Sequence, residues 1–324
     1  MKLICKIIIL GFFLVAVVSC SDSDQQPDLD FIPKNTKNSF LKVKSPIVFI
    51  DEAHNSLHKI TGRYKPFVQV LTSDGYIVKQ SKKKFTLEYL QQADILVVVN
   101  ALGKNRRNYT PPFVDAFDTE EVAAVKQWVS QGGSLFFIAD HTPFPQISEK
   151  LSAAFGFKFN NGHVKGSTFH IDNNNLMDHV ITKGNSDSQS DDQLDFFTAR
   201  IGQGIIKTAS HSERIVKVKA FGGSAFIIPE NAKPLLVLGK GATALMPDIP
   251  FQVNAETPRV SLDGWSRGAV LEFGEGRVAV FADGMMFSSQ LVVSTGTKWG
   301  LLSVDAEQNE QFLLNVMHWL SGLI

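Results

Sequence analysis

Two short polar clusters in this chain carry the residue types that metal binding and proton transfer require. The first, Asp51-Glu52-Ala53-His54-Asn55, directly follows the apolar run Pro46–Ile50, and the second, Asp140-His141, directly follows Ser134–Ala139. As ligands, His54, His141 and Asp140 match the imidazole-plus-carboxylate set of zinc and similar ions, so a divalent metal is the cofactor they could hold. As an acid–base set, Asp51 or Asp140 would orient His54 or His141 for proton transfer. The same residues are also compatible with plain structural duty, in which the two aspartates cap the loops that follow and each histidine bonds to backbone.

If the strands that carry the two clusters are neighbours in a parallel sheet, Asp51, Glu52, His54 and Asn55 face Asp140 and His141 across one crevice, and other groups could line the same region. Glu52 and Asn55 flank His54, Asn100 ends a third apolar run, and Asp283-Gly284 precedes a loop with Ser288, Ser289 and Gln290. Phe144 and Trp265 are candidates for stacking on a sugar. Pro145 marks a helix start whose unpaired backbone N–H groups suit an anion. His163, His170, His179 and His211 show no ligand spacing and read as surface residues. His318 follows helical spacing near the end of the last helix, where a cation favours the dipole, and reads as structural.

The elements that must position these groups are legible as patterns. Pro46–Ile50, Asp94–Asn100 and Ser134–Ala139 are continuous apolar runs of the kind buried on both faces of a parallel sheet. Tyr64, Phe67, Val68 and Leu71 recur at helical spacing before Asp74-Gly75, a strand follows near Tyr76–Lys79, and a short helix is expected around Thr86–Gln92. Lys104–Phe117, with Arg106, Arg107 and Pro111-Pro112, is a long polar loop. Asp118 and Glu121 have capping-box spacing ahead of a helix whose apolar stripe is Val122, Val125, Trp128 and Val129. A second helix with Ile147, Leu151 and Phe155 ends at Gly156. Strand and helix thus alternate strictly as far as residue 156, which predicts a doubly wound parallel sheet with ligands at the strand carboxyl ends.

Residues 158–213 are polar and rich in Asn, Asp and Ser, including Asp187–Asp192, and read as an insertion. Strands are expected again at Ile215–Ala220, Ser224–Ile228 and Pro234–Leu238. Ala269–Phe273 and Arg277–Ala282 form a hairpin around Gly274-Glu275-Gly276, and the chain ends in a helix from about Asp305 to Leu320. The fold class is therefore α/β: a flavodoxin-like three-layer α/β/α domain over 45–324, mostly parallel, with a polar insertion and a C-terminal hairpin plus helix.

The chain of 324 residues is 44% hydrophobic, enough for a sizeable core. Lys+Arg and Asp+Glu are both 32, so nothing in the charge balance points to nucleic acid. Lys2 and Lys6 precede an apolar run, Ile7–Val18, that is short for a membrane span and reads as a secretory signal over residues 1–19. Ser21 to about Lys44 has the composition of a flexible tether. The only cysteines are Cys5, within the signal, and Cys20, so a mature chain has no disulfide and no catalytic thiol. No Gly-x-Ser-x-Gly elbow is present either.

Val17-Val18-Ser19-Cys20 resembles the lipobox of bacterial lipoproteins, which implies cleavage before Cys20, lipid on that cysteine and a membrane-anchored place in the bacterial cell envelope. Ser21 after it implies the outer membrane. From about residue 46 onward the chain resembles the class I glutamine amidotransferase-like superfamily, on the exported and lipoprotein branch related to gliding-motility and intraflagellar-transport domains. Asp51–Asn55, Ala93–Val97, Trp128-Val129 with Gly132–Leu135, Ala139–His141, Gly276–Val278, Met286–Ser288 and Asn315–Leu320 carry that resemblance. It implies a flavodoxin-like fold; the missing cysteine argues against glutamine hydrolysis. The functions expected are a crevice that binds a carbohydrate, peptide or protein partner, or a metal-assisted or acid–base hydrolase or lyase acting on a sugar-type substrate. A distant likeness to trehalose-utilisation-type proteins, which also place a histidine after a Gly-Gly-strand segment, points to sugars.

Overall fold

The computed structural model describes residues 24–40, 44–105, 107–184, 197–201, 204–208 and 213–324. The signal region, Cys5, Cys20, Arg106, Asp187–Asp192 and His211 lie outside these residues. A nine-stranded sheet forms the frame: β1 (Ile47–Asp51), β2 (Ile77–Ser81), β3 (Ile95–Val99), β4 (Ser134–Ile138), β5 (Lys158–Phe159), β6 (Phe226–Ile227), β7 (Lys233–Val237), β8 (Ser266–Phe273) and β9 (Gly276–Phe281). The path across it is β2-β1-β3-β4-β9-β8-β6-β5, with β7 also paired to β8. Its first five strands are mutually parallel, so the parallel set has the flavodoxin-like order 2-1-3-4-5 in chain sequence. The remainder of the sheet is antiparallel.

Alternation along the apolar strands builds the layers. Val48, Ile50, Ile95, Val97, Val99, Phe136 and Ile138 pack on one face with helices α1 (Lys65–Ser73) and α4 (Asn309–Leu320). Phe49, Leu96, Val98, Leu135 and Phe137 pack on the other with α2 (Thr119–Ser130) and α3 (Glu149–Ala154). Successive side chains of a strand point to opposite faces, so a run covered on both must be apolar throughout. The capping box of Asp118 and Glu121 forms as the spacing predicts.

Three expectations need correction. The strands carrying the two polar clusters, β1 and β4, are not neighbours, because β3 lies between them. The expected tether is folded from Asp24 through Phe40: Gln25–Pro27 pairs with Ser289–Val292, which pairs with Thr297–Gly300, and Phe31 and Phe40 are buried in the core. Apolar anchors spaced nine residues apart leave no periodic trace. The polar insertion also feeds the core, through Val164, Phe169, Leu176 and Ile181. Within it, Ser167–His170 pairs with Lys217–Ala220, and His163–Val164 pairs with Thr243–Leu245. Among the described residues no helix is long and apolar enough to cross a membrane.

Candidate functional site

Each of three strands ends in an aspartate whose carboxylate turns back onto its own loops. After β1, Asp51 is fully buried; its Oδ1 accepts from the Ala53 and His54 N–H groups at 3.1 and 3.4 Å and from His54 Nδ1 at 2.9 Å, and its Oδ2 accepts from the Ser56 hydroxyl at 2.8 Å. After β4, Asp140 Oδ2 accepts from Asn100 Nδ2 at 2.7 Å and its Oδ1 accepts from the Gly284 N–H. After β9, Asp283 Oδ1 accepts from Met285 N–H at 2.9 Å, while Oδ2 takes the N–H groups of Phe221 and Gly222. Strand ends present unpaired backbone donors, and a short acidic side chain satisfies them locally.

His54 goes with the first of these and not with His141. Its Nδ1 faces Asp51 and its Nε2 faces Glu121 Oε1, both at 2.9 Å, and its ring packs against both Phe85 and Phe117, which stack on each other. Burial opposes its protonation, but the hydrogen bonds and charges of Asp51 and Glu121 outweigh that and raise its pKa. An imidazole with an acceptor at each nitrogen is best satisfied as imidazolium, so neither nitrogen is free for a metal or a substrate proton. Glu121 also accepts from the Phe85 N–H at 3.1 Å, which makes His54 a tie between the β1 loop, α2 and the chain after β2.

The switch point between β1 and β3, where this topology takes ligands, is closed by the same loop. The carbonyl of His54 accepts from the N–H groups of Leu102 and Gly103 at 3.1 and 2.7 Å, and Leu57 N–H donates to Asn100 O at 3.1 Å. Asn100 adopts a left-handed φ of 50°, which short polar side chains tolerate. It is fully buried and grips Asp140 from both ends, since its Oδ1 also accepts from the Asp140 N–H at 2.9 Å. Its Nδ2 lies 3.4 Å from His58 Nδ1. His58 is buried against Tyr64, and burial, with Arg63 and His141 nearby, lowers its pKa to about 3.

Asp140 is partly exposed beyond the end of β4. Desolvation of its carboxyl and the charge of Asp283 raise its pKa to about 7, against the pull of Asn100, Gly284 and the fully buried Arg267. His141 beside it keeps Nδ1 at 2.8 Å from the Thr142 carbonyl, which the ring N–H donates to. Its ring stacks on His163 at 4.5 Å and meets Phe251 edge-on at 5.0 Å, while Tyr109 closes on Phe251 at 5.4 Å. Burial lowers the pKa of His141, and burial plus His141 takes that of His163 to about 3, so this pair is neutral at neutral pH. Phe251 is 49% exposed, the open edge of an otherwise packed aromatic cluster.

The sequence-derived site therefore divides. Asp51 and His54 form one structural unit; Asn100, Asp140 and His141 form a second cluster with His58 and His163. Asp140 and His141 cannot share an ion with His54, whose ring nitrogens are taken, and among the described residues no group of three or more His, Cys, Asp or Glu side chains is arranged to hold a metal ion. Glu52 accepts from Ile60 N–H and Gln80, and Asn55 accepts from Arg107, so both serve loop structure. Phe144 is core, Trp265 packs against the core, and Ser288 donates its hydroxyl to Arg63 O. Gln290 is buried on the small N-terminal sheet, with neither amide atom hydrogen-bonded. His170 and His179 cap the turns that follow them, and His318 pairs with Asp74 at 2.6 Å, in keeping with a structural role. His58, His163, Tyr109 and Phe251 were not marked out by the sequence: they share no spacing and meet only through pairings such as His163–Val164 with Thr243–Leu245. An open groove of about 550 Å³ at the opposite, amino-terminal ends of the strands, between Phe40, Asp94, Trp128 and Leu323, contains none of these residues.

Fold and site together define a doubly wound α/β protein whose strand-end acidic groups serve its own loops. No protein-family model matches the sequence, and no curated protein matches it. Among solved structures, the N-terminal domain of mmIFT52 is similar at a TM-score of 0.53 and 14% identity, covering 85% of this chain and 97% of that one. A ThuA-like protein from Bacteroides uniformis is similar at a TM-score of 0.41 and 12% identity over 86% of this chain and 93% of that one. An exo-β-1,4-mannosidase from Opitutaceae bacterium strain TAV5 matches at 0.41 and 10% identity, over 86% of this chain and 36% of that one. The first shows a shared fold alone; the other two scores are too low to carry an argument.

Proposed function

We propose that this chain is a binding module of the amidotransferase-like type, anchored to the bacterial cell envelope by lipid on Cys20, whose crevice takes a neutral carbohydrate. The observation that carries the ligand class is the half-exposed Phe251 ring set beside two uncharged imidazoles, His141 and His163. An exposed aromatic edge offers a face to the C–H surface of a sugar, and neutral imidazoles exchange hydrogen bonds with hydroxyls without demanding charge. The acidic groups beneath are held by backbone N–H groups and, at Asp140, by the Asn100 amide, which favours recognition over turnover. Screening the mature protein against a glycan panel and following hits by calorimetry tests this. Phe251→Ala is expected to weaken the best ligand about tenfold, the worth of one aromatic contact. Equal affinity in that variant, or peptide ligands only, would remove the carbohydrate reading.

A second reading rests on Asp140, whose pKa of about 7 suits a general acid. It predicts that glycans bound by the wild type are cleaved and that Asp140→Asn binds without cleaving. Intact ligand after prolonged incubation with wild-type protein decides for the binding module.

A further inference from the structure

The folded N-terminal segment gives the anchor a geometry. Asp24 is stitched to the body: its carbonyl accepts from Val293 N–H at 2.9 Å, and its carboxylate accepts from the Ser294 N–H and hydroxyl at 2.8 and 2.6 Å. Four residue steps separate Cys20 from this point, and even a fully extended chain spans at most about 14 Å over that distance. A lipid on Cys20 would hold Asp24 within that reach of the bilayer interface. The body cannot then stand away from the membrane; one face must lie against it.

Exposed apolar side chains stand on the segment that follows Asp24 and on the C-terminal segments that it joins. Leu29, Ile32, Val293, Trp299, Leu302 and Val304 are all exposed, Ile32 and Val304 at 79% and 77%. The fold ties the segments that carry them: Gln25–Pro27 pairs with Ser289–Val292, which pairs in turn with Thr297–Gly300, Lys298 pairs with Asp28 at 3.0 Å, and Lys34 reaches the Glu307 carbonyl at 3.3 Å. Most exposed apolar residues are scattered singly; several on mutually paired segments mark a candidate interaction surface. Trp299 adds a ring of the kind that settles at headgroup depth.

We infer that this face is a membrane-apposed surface, with the aliphatic side chains and Trp299 seated in the headgroup layer of the bilayer that holds the Cys20 lipid. The inference rests on the anchoring reading above, and its test separates the two. Full-length protein purified from membranes is analysed by mass spectrometry for lipid on Cys20, then reconstituted into vesicles of phosphatidylethanolamine and phosphatidylglycerol with brominated acyl chains. Of the four tryptophans, Trp128 and Trp319 are buried and Trp265 is partly buried, whereas Trp299 is exposed. Bromolipid is expected to quench the wild-type emission, and Trp299→Phe is expected to lose most of that quenching. Ile32→Asp with Val304→Asp, both at exposed positions, should reduce it while leaving the lipid and the melting temperature unchanged. Lipid on Cys20 with no quenching of Trp299 overturns the apposed face and keeps the anchor, as would quenching indifferent to the paired aspartates. Absence of lipid on Cys20 overturns the anchor, and the inference with it.

Discussion

His54 is held by charge on both sides, and that arrangement fixes how the molecule responds to pH. Its folded pKa lies above its ordinary value of 6.5, so its contribution to stability is complete below 6.5 and is lost as pH rises through the folded value. His58 and His163 work in the other direction: with folded values depressed to about 3, their contribution is present above 6.5 and is lost as pH falls from 6.5 toward 3. Urea unfolding across pH 5 to 9 should show both arms, with His54→Gln flattening the alkaline one and His58→Gln the acid one. His54→Ala, which strands two buried carboxylates, is expected to cost about 3–5 kcal/mol, readable from the denaturation midpoint. At this scale the sequence exposed the pairing of Asp51 with His54 but not its purpose. Glu121 was legible only as a helix cap, because its second role depends on α2 lying across the β1 loop, a contact between residues 67 apart.

The elements were largely readable, since burial on both sheet faces and the capping box at α2 write themselves into composition and spacing. Their adjacency was not. Hydrophobic runs state that a strand is buried without saying beside which neighbour, so the position of β3 between β1 and β4 had no sequence signal. Glu121 offers a test of how the elements are joined. Asp118→Ala removes a cap and should cost about 1 kcal/mol, whereas Glu121→Ala removes the cap partner, the Phe85 acceptor and the His54 counter-charge and should cost about 3 kcal/mol or more. Gly223 tests the far side of the crevice. It has a φ of 95°, and a Cβ there would overlap the Ala282 carbonyl oxygen. Gly223→Ala should push the Phe221–Ser224 chain off the end of β9, lowering the melting temperature and weakening any crevice ligand together.

For the whole molecule, the folded body begins earlier than polar composition suggests. Phe31 and Phe40 are buried with the core, so Phe31→Ala is expected to cost about 3–5 kcal/mol. A protein starting at residue 44 should be markedly less stable than one starting at residue 24, as a thermal melt of the two will show. The segment could not be recognised because two phenylalanines and a three-residue strand among Pro, Asp, Asn and Lys supply no period to detect.

The loop that seals the gap between β1 and β3 has one more consequence. The usual ligand cleft of this topology is filled by His54, Leu57, Leu102 and Gly103, so the proposed recognition surface lies outside it, on the segments carrying His163 and Phe251. On those segments Phe251 is exposed while Val164 stays in the core, so the outward side chains can vary more freely than the inward ones. Relatives of this chain should therefore vary in what they bind through the outward side chains of these segments, while the inward ones stay apolar.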